Sequence, residues 1–84
     1  MDVDHERDAV LAYLNDLWRE LLRFDRVGPE DDFFALGGNS LLALQMLMTV
    51  SVKYGVEPDS ARFLTDPTIR VLSDMILVQR HVIS

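Results

Sequence analysis

Between Asp4 and about Arg23, apolar residues fall at steps of three and four: Val10, Leu11, Leu14, Leu17, Trp18, Leu21 and Leu22. Asp8, Asn15, Asp16, Arg19 and Glu20 fill the other side of the same register. A helix gathers the first set into one stripe and the second into a solvated face, whereas a strand would scatter both sets over its two sides. The segment therefore predicts an amphipathic helix whose stripe the rest of the chain must bury.

The next punctuation is Gly28-Pro29, followed by Glu30-Asp31-Asp32 and then Gly37-Gly38, so the stretch between is expected to be a long ordered loop with one short turn. Phe33, Phe34 and Leu36 are its expected anchors. A second helix is expected from Ser40, a plausible cap or first-turn residue, through LLALQMLMTVSVKY to about Tyr54, with Gly55 as its stop. After Pro58, the segment Asp59 to Leu64 allows only a short helical turn before Asp66-Pro67. Thr68 then caps a last helix to about Gln79, with Ile69, Leu72, Met75 and Ile76 as its inward stripe. The β-rich run MTVSV lies inside a longer helical pattern, so the expected fold class is all-α: a small four-helix bundle with a long loop between helices one and two and a short third helix. With 84 residues, 49% of them apolar, the chain can close one core, and a single domain over 1–84 is expected.

Charge narrows the function classes. Fourteen acidic against 8 basic side chains leave a formal net charge of −6, a field that repels nucleic acid and favours partners with basic patches. No apolar run approaches the ~20 residues that span a bilayer. The start MDVDHERDAV is acidic where a secretory signal is basic, so a cytoplasmic protein is expected. Cysteine is absent, so any thiol chemistry needs an added group. His5 and His81 have no ligand neighbours at helical or loop spacing and read as surface residues of the terminal turns, without a role. Glu30-Asp31-Asp32 lacks the alternating ligands and central glycine of a calcium loop, and reads as an acidic turn that caps local N–H groups and attracts basic partners. Trp18 is expected in the core.

The informative stretch is Asp32-Phe33-Phe34-Ala35-Leu36-Gly37-Gly38-Asn39-Ser40-Leu41. Paired glycines can take unusual backbone angles and let a large partner or a phosphate approach the serine. A phosphodiester on the Ser40 hydroxyl would lie near the free N–H groups of helix two, where negative charge gains about 0.3–1 kcal/mol. Taken alone, the four residues Gly37 to Ser40 favour an ordinary loop and N-cap over an attachment site. No His or Lys stands near Ser40 at motif spacing, so a Ser-His-Asp hydrolase has no support.

With its paired aromatics, Leu-Gly-Gly, one variable residue and a serine, the segment resembles the attachment motif of the phosphopantetheine-binding carrier family. The resemblance extends over nearly the whole chain, through FLTDPTIRVLSDMI, which is similar to the family's short helix and Pro-Thr-initiated last helix. FFALGGNS looks more like the peptidyl carrier, or thiolation, branch of nonribosomal peptide synthesis than like fatty acid carriers, and Asn39 departs from the His or Asp more usual at its place. The resemblance implies a non-catalytic carrier of aminoacyl or acyl thioesters. Its 4'-phosphopantetheine arm would be moved from coenzyme A to Ser40 by a separate, Mg2+-dependent phosphopantetheinyl transferase, with Gly37, Gly38 and Asn39 as flanking motif. Implied partners are that transferase, an adenylating or acyl-loading enzyme, and tailoring or condensation enzymes. Beginning at Met1 and stopping soon after the last helix, the chain is expected to be freestanding, with an excised domain of a larger synthase as the alternative, and a monomer is expected.

Helix two has more apolar residues than one core-facing stripe needs. Helical geometry puts Met46, Leu47 and Val50 on one side, expected inward, and Leu41, Leu44, Gln45 and Met48 towards another, expected as a docking surface. Methionine adapts to several partners in turn, which makes Met48 the preferred example. The competing reading is an unmodified helical interaction module in which Ser40 only caps helix two and the apolar row binds one stable partner.

Overall fold

The computed structural model describes residues 3–81, with side chains from His5 onward. The chain ends on which the expectation of a freestanding protein rests, residues 1–2 and 82–84, lie outside it. Four helices follow in order: α1 (Val3–Leu22), α2 (Ser40–Tyr54), α3 (Ser60–Thr65) and α4 (Ile69–His81). Among the described residues there is no strand, and no helix is long and apolar enough to cross a membrane.

Local chemistry provides a partner at several helix ends. Asp59 caps α3 by accepting from Arg62 N–H at 3.1 Å, and the Thr68 hydroxyl accepts from Val71 N–H at 3.3 Å to open α4. Gly55 ends α2 in the left-handed region, at φ 65°, with its N–H donating to Ser51 O. The last helix runs two residues beyond the expected end at Gln79. Gln79 itself is tied back, exchanging two hydrogen bonds with the backbone of Glu57.

The stripe of α1 packs against α4 and α2. Val10, Leu14 and Trp18 from α1 meet Ala43, Met46, Leu47 and Val50 from α2, and Ile69, Leu72, Met75 and Ile76 from α4. α4 is buried on more of its circumference than the expected stripe, since Val71, Ser73 and Leu77 are covered too. The Ser73 hydroxyl avoids an unmet polar burial by donating to Arg70 O at 2.8 Å. The resulting body measures 37 × 23 × 20 Å, and its Cα radius of gyration of 12.1 Å is what a folded chain of this length has.

At the far end of the bundle from α3, α1 and α4 are joined by charge. Arg7 bonds Asp74 at 2.9 Å, while Glu6 takes hydrogen bonds from Arg80 and His81. His81 is therefore not the unengaged surface residue expected of it, because an i to i+75 contact leaves no trace in local spacing. The bond from Arg80, then that from His81, hold the Glu6 carboxyl below its ordinary value. A carboxyl lowered on folding contributes stability above its unfolded pKa, and that contribution is lost as pH falls through the folded one. Glu6→Gln should accordingly flatten the fall in melting temperature below about pH 5, measured by circular dichroism, and leave the profile near neutrality unchanged in shape.

Candidate functional site

The long loop arrives at α2 by way of the core. Phe33 is fully buried, with its ring 4.9 Å from Trp18 and 5.8 Å from Phe63, while Trp18 and Phe63 lie 6.1 Å apart. These edge-on rings join α1, the loop and α3 into one aromatic cluster. Two backbone bonds fasten the loop to the start of α4: Phe33 N–H to Pro67 O at 2.8 Å and Arg70 N–H to Pro29 O at 3.0 Å. Phe34 and Leu36 pack against the core from its edge, completing the expected anchors.

The three acidic residues are spent on this loop. Asp31 accepts from Gly28 N–H, Asp32 accepts from both Phe34 and Ala35 N–H, and Glu30 pairs with Arg70. No group of three or more histidine or carboxylate side chains able to hold a metal comes together among the described residues. Asp32 thereby caps a single turn over residues 33–37, which Gly37 ends at φ 103°. That angle is one that side chains disfavour, and no atom beyond its chain neighbours lies within 4 Å of where a Cβ on Gly37 would sit.

Gly38 serves a different purpose from the one expected. Its N–H donates to Phe33 O at 3.0 Å, and a Cβ there would stand 2.4 Å from the Phe33 ring and 2.7 Å from that same oxygen. Gly37 supplies the turn and an open approach, whereas Gly38 lets the backbone lie flat on a buried ring.

The chain then reaches Asn39, and here the structure decides between the two places, cap or first turn, expected for Ser40. Asn39 is extended (φ −139°, ψ 178°), its Oδ1 accepts from Leu42 N–H at 2.9 Å, and its carbonyl accepts from Ala43 N–H at 2.8 Å. Asn39 is the N-cap, and Ser40 is the first residue of α2. Ser40 is exposed, and its hydroxyl makes no hydrogen bond among the described residues. The reading in which Ser40 earns its place as the cap is thereby removed.

An arm bearing a phosphodiester fits this position. The first turn of α2 contains no acidic side chain, so its N–H dipoles meet no competing carboxylate. Beside Ser40 runs a groove of about 130 Å³ between α2 and α3, lined by Ala43, Leu44, Leu47, Ser60 and Leu64.

From Ser40 the outward face of α2 continues as an apolar row. Leu41 is 64% exposed, Leu44 54% and Met48 60%, with Gln45 among them, whereas Met46, Leu47 and Val50 are buried as expected. Two exposed residues extend the row beyond the expected set: Val52, at 86%, and Leu64 of α3, at 58%. Val52 follows Met48 by four residues, so helical spacing was enough to find it. Leu64 needed the position of α3, which no spacing within α2 reveals.

The family model for the phosphopantetheine attachment site matches residues 12–76. Malpinin synthetase of Mortierella alpina is 40% identical over 76 residues, covering 90% of this chain and 1% of that protein. A dimodular nonribosomal peptide synthase of Bacillus subtilis (strain 168) is 40% identical over 63 residues, 75% of this chain and 3% of that one. The chain thus spans only a few hundredths of the length of these relatives. Among solved structures, a peptidyl carrier protein in complex with the phosphopantetheine transferase Sfp and coenzyme A superposes with a TM-score of 0.75 at 30% identity, covering 80% of this chain and 87% of that one. The matched span runs from the middle of α1 to α4 and takes in the loop, the double glycine and the serine that opens α2, and on that ground the chain belongs to the phosphopantetheine attachment site family, on its peptidyl carrier side.

Proposed function

We propose that this chain is a non-catalytic peptidyl carrier domain over residues 1–84 whose modified residue is Ser40. The observation that carries the assignment is a division of labour at one helix start: Asn39 makes the cap, so the Ser40 hydroxyl is exposed and structurally unspent. In the modification, the Ser40 Oγ attacks a phosphorus of the coenzyme A diphosphate. A new P–O bond forms to the phosphorus that bears pantetheine, the bridging P–O bond to the adenosine-side phosphate breaks so that adenosine 3',5'-bisphosphate leaves, and the hydroxyl proton passes to a base of the transferase. Among the described residues no base is hydrogen-bonded to Ser40, which supports its reading as substrate and not as catalyst. The attached arm supplies a terminal thiol on which aminoacyl or acyl groups are carried as thioesters, a function this cysteine-free chain has no side chain to perform.

Gly37, Gly38 and Asn39 flank and present the attachment point, and the first-turn N–H groups of α2 favour the phosphodiester charge. Leu41, Leu44, Gln45 and Met48 form the surface to which the transferase, an adenylating or acyl-loading enzyme, and condensation or tailoring enzymes dock in turn, with Val52 and Leu64 enlarging it. The chain acts as a monomer in the cytoplasm, where coenzyme A and such enzymes meet it.

The test is intact mass after incubation with coenzyme A, Mg2+ and a broad-specificity transferase. One phosphopantetheinyl group is expected on the native chain and none on Ser40→Ala. A folded native chain that gains no mass beside an active transferase would sink the assignment. For docking, Leu44→Asp or Met48→Asp should slow loading by a partner enzyme about tenfold while leaving helicity intact, since each puts a charge where an apolar contact forms. Unchanged loading kinetics would remove that face from the interface.

A further inference from the structure

We infer that Asn39 is a positioning residue for the modification of Ser40: by taking the cap of α2 it keeps the serine hydroxyl out of that duty. The inference rests on the reading that Ser40 accepts the arm. Asparagine and serine are both strong N-cap formers, of nearly equal rank, and the chain places them side by side where a helix begins. Two registers are therefore open to the start of α2.

In the register observed, the Asn39 side chain bonds Leu42 N–H, its carbonyl bonds Ala43 N–H, and Ser40 is helical with an unengaged hydroxyl. In the other, Ser40 would swing to an extended backbone, and its Oγ would accept from Ala43 N–H, three residues on. The oxygen that must attack phosphorus would then be turned into the first turn of its own helix. With both cap formers present, intrinsic preference leaves these registers nearly even, and a bias from the surroundings, smaller than the loss of a cap side chain, tips the choice. Gly38 is fixed by its bond to Phe33 O and its contact with the Phe33 ring, so the first residue past that fixed point able to cap is Asn39.

The same pairing recurs in this chain. Asp59-Ser60 opens α3 with the acidic residue as cap, accepting from Arg62 N–H at 3.1 Å, and the serine as first helical residue. Where this chain sets an Asx residue before a serine at a helix start, the Asx side chain does the capping.

Removal of the Asn39 side chain leaves Ser40 as the better cap. Serine is preferred over alanine at that position by an amount that corresponds to roughly a fivefold population ratio. The competent register would then be the minor one, and a transferase that selects it would see an apparent affinity weakened by that fraction, with the chemical step unchanged. Steady-state modification by transferase and coenzyme A should thus show the KM for Asn39→Ala raised about fivefold and kcat retained. Asn39→Ser and Asn39→Asp, which restore a cap, should return KM to near the native value. The Ser40 Cα and Cβ chemical shifts should move from helical towards extended values in Asn39→Ala alone. Ile76→Val, a mild core change remote from the site, serves as the control for general loss of stability and should leave KM unchanged.

A native KM for Asn39→Ala, or unmoved Ser40 shifts, would overturn the inference. So would Ser and Asp variants as impaired as alanine, which would make Asn39 a direct contact of the transferase, or an equal rise in KM for Ile76→Val. A native chain that takes no arm at all would count against the assignment of Ser40, while the chemical shifts would still decide the register.

Discussion

Phe33→Ala is expected to cost about 3–5 kcal/mol of folding stability, read as a fall in the urea midpoint. A chain of this size has of the order of 4–13 kcal/mol in total, so the variant should be partly unfolded or close to it at room temperature. The size of the effect follows from where the ring sits. Phe33 is fully covered, packs edge-on against Trp18, Phe34 and Phe63, and carries backbone bonds to Pro67 and Gly38 on either side of its side chain. Removing it opens a cavity among three elements that touch through it, and such a site relaxes poorly. Phe33→Leu keeps most of the volume and should lose less than half as much. A midpoint for Phe33→Ala within error of the native one would mean that the loop is not anchored by this ring.

How much of this was legible beforehand depends on the range of the interaction. The four helices were visible because their causes are local: the spacing of Val10, Leu14 and Trp18, the stop at Gly55, the capping Thr68. The inward set of α2 was visible for the same reason, since Met46, Leu47 and Val50 share a face at any position of the helix. The path of the loop was not. It is decided by Phe33 N–H to Pro67 O and Arg70 N–H to Pro29 O, bonds between backbone groups that every residue possesses and no sequence pattern marks. Glu6 with Arg80 and His81 is similar, because a pairing across 74 or 75 residues is created only by packing α1 on α4.

The site divides along the same line. That Ser40 stands at a helix start in a segment able to receive an anionic ester was readable from Gly37-Gly38-Asn39-Ser40 and the apolar run after it. Which of two neighbouring cap formers takes the cap was not, because that choice is made by the Phe33 ring beneath Gly38 and not by either residue's preference. The shared fate assumed for the two glycines failed for the same cause. Adjacent in sequence, they differ in what lies under them.

That difference yields the second large effect. In Gly38→Ala, the new Cβ would meet two carbons of the Phe33 ring at 2.4 Å and the Phe33 carbonyl at 2.7 Å, well inside ordinary contact distance. The ring cannot retreat freely, because Trp18 and Phe63 are already in contact with it. The backbone can retreat only by giving up the Gly38 N–H bond to Phe33 O. Overpacking costs about 1–3 kcal/mol and the lost bond about 0.5–1.5, so a destabilisation of roughly 2–4 kcal/mol is expected, measured by urea unfolding. Gly37→Ala has no such neighbour and suffers only from its positive φ, a strain of about 1–3 kcal/mol. Size separates the two mechanisms where energy alone does not. Combining Phe33→Leu with Gly38→Ala should recover part of the stability that Gly38→Ala loses, because the smaller, more adaptable side chain makes room for the methyl. The same Phe33→Leu change should do nothing for Gly37→Ala, and additivity in both double variants would show that the two glycines are constrained alike after all.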